Sequence, residues 1–293
     1  MGLFSFPLLP ILGGHFMLLF TFSKFLLNFS CGIRKTGVSC IERGSRMLSH
    51  SDMLKLKRWN TPTIYNGWET VTKADRLSVR CNREETHDFM PQMGSMVGYA
   101  VTVLFQPSNK VHYENSAHKW SEYRRYVASV PGPKIVVLQD LDSPDHIIGS
   151  FWGEVCSNMH KALGCVGTIT DGAVRDIDEM TNAGFKAIAR RLCIGHAYSV
   201  PVQWGIPVTV YGCEIKPGDF IHADKHGFIV VPEEDQAYLL EAVAYMDGNE
   251  CQTTIRAARE SVGKSLLEVC SALDSANAEF VSNTAEFKRS IGY

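Results

Sequence analysis

From residue 50 onward, the apolar positions fall into short blocks that switch between the helical and the extended period. Residues 52–59 read as a short helix with an acid at its amino end. Thr61-Pro62 reads as a cap followed by proline at the first helical position, opening a second helix through Tyr65 and Trp68. Residues 97–105 form an unbroken, β-branched apolar run, the pattern of a strand covered on both faces. An amphipathic helix is predicted at 120–130, then strand at 134–138, strand at 147–151, helix at 154–163, strand at 165–170, helix at 175–183 and strand at 186–189. This alternation from 134 to 189 predicts an α/β domain with parallel strand pairs. Shorter β segments are expected at 206–211, 220–222 and 227–231, with a turn at Pro217-Gly218. From Glu233 to about residue 285 the pattern is helical, and Glu233-Glu234-Asp235 supplies a negative first turn.

The first 48 residues do not share this pattern. Residues 1–23 carry no formally charged side chain, and the apolar run from 3 to 27 approaches the length of a membrane-spanning helix. Pro7, Pro10, Gly13 and Gly14 interrupt it, no basic flank precedes it, and Phe6 stands where a myristoylation motif needs Ser or Thr. The segment reads as a hydrophobic extension, either disordered or a membrane anchor. As an anchor, the basic residues that follow (Lys24, Arg34, Lys35 and Arg43) would keep the body cytosolic. Residues 49–293 read as one domain with a helical carboxyl-terminal end.

Charge and cysteine usage narrow the function. Twenty-nine Lys and Arg stand against 31 Asp and Glu, a net charge of -2, which gives no sequence-level reason to expect a nucleic-acid partner. The nine cysteines form no C-x-x-C pair and are odd in number, so neither a disulfide framework nor a thiolate zinc site is expected, and the body reads as cytoplasmic. Several motifs fail on inspection. Gly263-Lys264-Ser265 lacks the first glycine of a phosphate loop, since Ala258 occupies it, and there is no G-x-G-x-x-G, no H-E-x-x-H and no G-x-S-x-G. His226, in Asp224-Lys225-His226, reads as a solvated turn residue.

One constellation does not fail. Phe151-Trp152-Gly153-Glu154-Val155-Cys156 and Thr170-Asp171-Gly172-Ala173-Val174-Arg175-Asp176 each read as a strand, a glycine turn and a helix start. In an open α/β sheet such turns share the crevice beyond the carboxyl ends of the strands. Gly153 would let backbone approach a ligand, and the amides of residues 154 to 156 would offer an anion pocket. Arg175 adds a planar fork for carboxylate oxygens. Asp176 and Glu154 add the hard oxygen ligands that Mg²⁺ or Mn²⁺ takes. Taken alone, an Arg-Asp pair at a helix start is more often a cap with a surface ion pair; the second turn, Gly153-Glu154, shifts the balance.

Glu154, twenty residues, then Arg175-Asp176 resembles the acidic-x20-Arg-Asp motif of the RraA-like family. That family includes class II 4-hydroxy-4-methyl-2-oxoglutarate aldolases and the RraA regulators of ribonuclease E. Thr61-Pro62-Thr63, residues 97–102, 167–176, Pro217-Gly218-Asp219 and 227–232 extend the likeness over roughly residues 55–235. Val155-Cys156 stand where leucine-like residues are usual, and Asp224-Lys225-His226-Gly227 departs from the usual Asp-x-Asp-Gly.

The resemblance implies a compact β/β/α domain with a mixed central sheet, assembled as a homotrimer or a dimer of trimers. It implies that Gly153, Glu154, Val155, Cys156 and Arg175 bind a small 2-oxo acid, that Asp176 ligates a divalent metal directly, and that Glu154 holds it through water. It also implies an acidic group from a neighbouring subunit, for which Glu233 and Glu234 are the candidates. The implied reaction is aldol cleavage to pyruvate with oxaloacetate decarboxylation beside it. The alternatives are another lyase or hydratase, or a protein-binding inhibitor of ribonuclease E without catalysis.

Overall fold

A computed structural model describes residues 48–293 of the chain, so the predicted extension and its anchor lie outside the described residues. The centre is a nine-stranded mixed sheet. Four parallel strands form its middle in the order Met96–Phe105, Lys134–Asp140, Cys165–Thr170 and Lys186–Ala189. Phe220–Asp224 and Gly227–Val231 extend it antiparallel on one side, and His87–Asp88 closes the other. Every residue of Met96–Phe105 but one is buried, which explains why its sequence shows no alternation.

The two faces of the sheet carry separate cores. On one, Val101, Val103, Val136 and Leu138 pack against Tyr123, Val127, Trp152 and Met180, which come from the helices and turns covering that side. On the other, Ala100, Ile135, Val137 and Ile169 meet Val208, Val210 and Ile215 of a small hairpin. The result is the β/β/α layering that the family resemblance implies. Each fully buried aliphatic side chain contributes roughly 1.5–3 kcal/mol. A third cluster joins Leu56, Ile64, Trp68, Leu239 and Val243 to the sheet end at Val97 and Phe220.

Lys134 opens the second central strand almost wholly buried. Its ammonium donates at 2.7 Å to the carbonyls of Val127 and Leu163, near the ends of the helices Lys119–Ser129 and Glu154–Ala162. Carbonyls left over at helix ends thus find a cation, the favourable sign for that pole.

Four expectations need correction. The segment 147–151 is not a strand; only Ser150 bridges, to Ala173, because the chain turns there toward the helix start. Asn60, not Thr61, caps the second helix, its side chain accepting the Thr63 amide at 2.9 Å. The helix expected at 175–183 is shorter, Ile177–Asn182, because Ala173–Val174 pairs with Arg191–Leu192 first. The β segment expected at 206–211 is confined to Val208–Val210. The carboxyl-terminal region is helical as expected, in four pieces from Glu233–Tyr238 to Leu266–Ser290, the last opened by a Ser265/Glu268 capping box.

Candidate active site

Two turns meet beyond the carboxyl ends of the parallel strands. The helix Glu154–Ala162 begins after Gly153, and Asp176 precedes the helix Ile177–Asn182. The amide of Glu154 donates to Asp176 Oδ2 at 3.1 Å, so residues twenty-two apart in the chain are in direct contact. Arg175 lies alongside, its Nη2 3.8 Å from the same carboxylate oxygen. Asp176 has φ 55° and ψ 48°, the left-handed region, which costs a non-glycine residue about 1–2 kcal/mol and which Asp tolerates better than most. Gly153 is buried, and a Cβ there would come within 2.7 Å of Asp176 Oδ2 and 3.1 Å of Arg175 Nε.

Arg175 divides two cavities. The smaller, about 140 Å³, is lined by Gly153, Val155, Cys156 and Arg175 together with His196 and Ser199. The larger, about 690 Å³, is lined by Arg175, Asp176 and Arg191 with Ile148, Leu192 and Ile194. The geometry therefore brings Gly153, the Glu154 backbone, Val155, Cys156, Arg175 and Asp176 together. It does not bring the Glu154 side chain into either cavity lining; that residue is exposed at the helix start. The anion pocket expected from three amides is reduced to those of Val155 and Cys156, because the Glu154 amide is spent on Asp176. As first-turn amides they lack an intrahelical acceptor. Glu233 and Glu234 are exposed on the short helix Glu233–Tyr238 and line neither cavity of their own chain.

The Cys156 thiol is pushed up to about 11 by burial, with Arg175 opposing the shift, so it contributes bulk rather than thiolate. Among the described residues, no three His, Cys, Asp or Glu side chains converge as metal ligands would. Asp176 is the one carboxylate among the residues lining the larger cavity, and its side chain is about one-third exposed. A cation there would rest on one protein carboxylate and water, an arrangement that fits Mg²⁺ or Mn²⁺ and not a structural Zn²⁺.

The RraA-like family model, described as aldolase/RraA, matches residues 69–230, which takes in both turns and the whole sheet core. The chain belongs to the RraA-like family. It is similar to Protein DlpA of Legionella pneumophila, at 23% identity over 57% of this chain and 28% of that protein. It is also similar to a Halalkalibacterium halodurans protein whose name makes it a candidate 4-hydroxy-4-methyl-2-oxoglutarate aldolase, at 32% identity over 40% of this chain and 53% of the relative. The chain thus spans between about a quarter and a half of the length of these curated relatives. Among solved structures, Streptomyces coelicolor RraAS2, described as an unusual member of the RNase ES inhibitor RraA protein family, aligns with TM-score 0.53 at 19% identity. That match covers 71% of this chain and 96% of RraAS2, and at such identity it shows the fold.

In this RraA-like chain, several residues around Arg175 escape sequence reasoning. His196, Ser199 and Trp120 line the smaller cavity and Arg191 the larger, yet none stands in a spaced motif. Ala197, at φ 45°, is a second strained residue beside His196, and no sequence signal marks it. His226, expected in a solvated turn, is exposed in one, and its Nδ1 also lies 3.1 Å from Asp224 Oδ1. Among the described residues, no helix is long and apolar enough to cross a membrane.

Proposed function

We propose that this protein is a divalent-metal-dependent carbon–carbon lyase that cleaves 4-hydroxy-4-methyl-2-oxoglutarate, or a similar 2-oxo acid, to pyruvate, with oxaloacetate decarboxylation as a side reaction. The observation that carries this reading is the contact of Asp176 with the Glu154 amide beside Arg175. It puts a carboxylate on the larger cavity and the first residues of a helix on the smaller, with the Arg175 guanidinium shared between the two. Arg175 and the amides of Val155 and Cys156 would hold the carboxylate and keto oxygens of the pyruvyl half in the smaller cavity. Asp176 would hold the cation, and Glu154 would reach it through water. Bound there, Mg²⁺ or Mn²⁺ would supply Lewis-acid stabilisation of charge on oxygen.

The chain's own groups account for the rest of the sequence. Bond cleavage leaves an enolate, and Arg175 with the two amides would face its oxygens in the smaller cavity. The proton of the 4-hydroxyl would leave by water near Glu154. Oxaloacetate loses CO₂ to the same enolate, so the same stabilisation serves both. Ile194 is 97% exposed and Val155 71% at the cavity rims, which suits cover by a neighbouring copy in a homotrimer or a pair of trimers. A role as protein-binding inhibitor alone would ask nothing of the left-handed backbone at Asp176.

The test is pyruvate release by the purified full-length protein with Mg²⁺ or Mn²⁺, and its loss in EDTA. Inertness toward 4-hydroxy-4-methyl-2-oxoglutarate and oxaloacetate with every divalent ion would overturn the reading and favour the binding role.

A further inference from the structure

Arg191 lines the larger cavity and, among the described residues, has no acidic partner. Its Nε donates to the Leu192 carbonyl at 3.2 Å. The arginine ion pairs of the described residues engage Arg76, Arg80, Arg175 and Arg190, and Arg191 is in none of them. Its place is fixed by backbone. Ala173–Val174 pairs in parallel with Arg191–Leu192, with Ala173 opposite Arg191. Arg175 follows two positions after Ala173, which puts the two arginines on a diagonal about 7–8 Å apart at Cα.

Both guanidiniums line one cavity whose other walls include Ile147, Ile148, Leu192 and Ile194. The one acid in that lining, Asp176, sits at the Arg175 end, with an oxygen 3.8 Å from Arg175 and on the Glu154 amide. Two cations therefore share a single acid, and the unmatched charge is that of Arg191, an exposed residue of this lining. A planar guanidinium in that position matches a carboxylate, which it can grip with two parallel hydrogen bonds.

We infer that Arg191 is a specificity-determining residue of this site, the counter-ion for a second carboxylate at the distal end of the substrate. The inference depends on the lyase reading above, with the 2-oxo acid end on Arg175. A diacid answers both guanidiniums, one carboxylate to each, and the isoleucine and leucine walls accept a branched alkyl substituent between its ends. A monocarboxylic 2-oxo acid of equal length leaves Arg191 unanswered and places methyl hydrogens where the charge waits.

The experiment uses full-length protein with Mg²⁺ present and two probes of one chain length, 2-oxoglutarate and 2-oxopentanoate, titrated calorimetrically. Wild type should prefer 2-oxoglutarate. Arg191→Gln should weaken 2-oxoglutarate binding by about 10-fold or more, the scale of a hydrogen bond to a charged group, and change 2-oxopentanoate binding by less than about twofold. Arg191→Lys should recover part of the loss, since it returns charge without the planar fork. An unchanged preference in Arg191→Gln, or none in wild type, overturns the assignment of Arg191. Pyruvate release by wild type decides the lyase reading separately, so the two failures are told apart. If wild type neither binds a 2-oxo acid nor releases pyruvate, both fall.

Discussion

Gly153 and Asp176 are fitted to each other: the space a Cβ would take at Gly153 is within 2.7 Å of the Asp176 carboxylate oxygen. The backbone at Gly153 is extended, so the requirement is for room rather than for unusual torsion. Gly153→Ala should leave thermal stability within a few degrees of wild type, because the displaced atoms are side-chain ends. It should still move the carboxylate off the Glu154 amide. Displacement of a reacting-site group by about 1 Å can cost on the order of 100-fold. The check is kcat/KM for pyruvate release beside a melting curve.

Asp176 carries two requirements, a carboxylate and a left-handed backbone, and two substitutions separate them. Asp176→Gly removes the charge and relieves the torsion, so it should match or exceed wild-type stability while losing at least about 100-fold in activity. Asp176→Ala should lose activity equally and stability as well, by about 1 kcal/mol. Chemical denaturation of both variants distinguishes backbone strain from chemistry.

Stability should depend on pH through two opposed sets of buried groups. Burial lowers His160 and His222 to about 4, so their contribution is present above the ordinary histidine value of 6.5 and is lost as pH falls toward 4. Burial raises Asp140 and Asp171 to about 7, so theirs is complete below 3.8 and is lost as pH rises through 7. Asp140 Oδ2 is buried without a hydrogen-bond partner, which makes its ionised form costly. Asp140→Asn should therefore gain on wild type in urea midpoint at pH 8, and the gain should shrink at pH 5. A gain that grows toward acid would contradict the assignment.

Lys186 and Asp88 form a buried ion pair at 2.6 Å, each side chain 2% exposed. Lys186 also donates to the Met90 carbonyl, and Asp88 accepts the Met90 amide. Lys186→Met should cost about 3–5 kcal/mol, because it leaves an uncompensated carboxylate in the core. Adding Asp88→Asn should recover much of that loss, and denaturation of the single and double variants measures the coupling.

The sheet core was legible because its strands are predominantly apolar and β-branched, as in residues 97–105 and 135–138, and because helices separate them. The 147–151 segment misled for the same reason: Ile147, Ile148 and Phe151 are apolar to line a cavity rim and a core, not to pair in a ladder. At the site, the spacing of Glu154 and Arg175-Asp176 was readable, whereas the use of the Glu154 amide by Asp176 was not, since main-chain hydrogen bonds leave no residue signature. Arg191 was hidden by a short parallel pairing of two residues per strand, too brief to show a period, and His196 lies outside any strand or helix. Asp140 and Asp171 were equally silent, because their character comes from burial.

Lys134 has a consequence for the opening it never touches. It grips the far end of the helix whose first residue is Glu154, and that helix is nine residues long, about 13 Å. A rod clamped at its tail points steadily at its tip. Loosening the clamp would blur the aim of the Val155 and Cys156 amides while every group around Arg175 kept its identity, so damage to catalysis from a position this remote would be a fault of alignment.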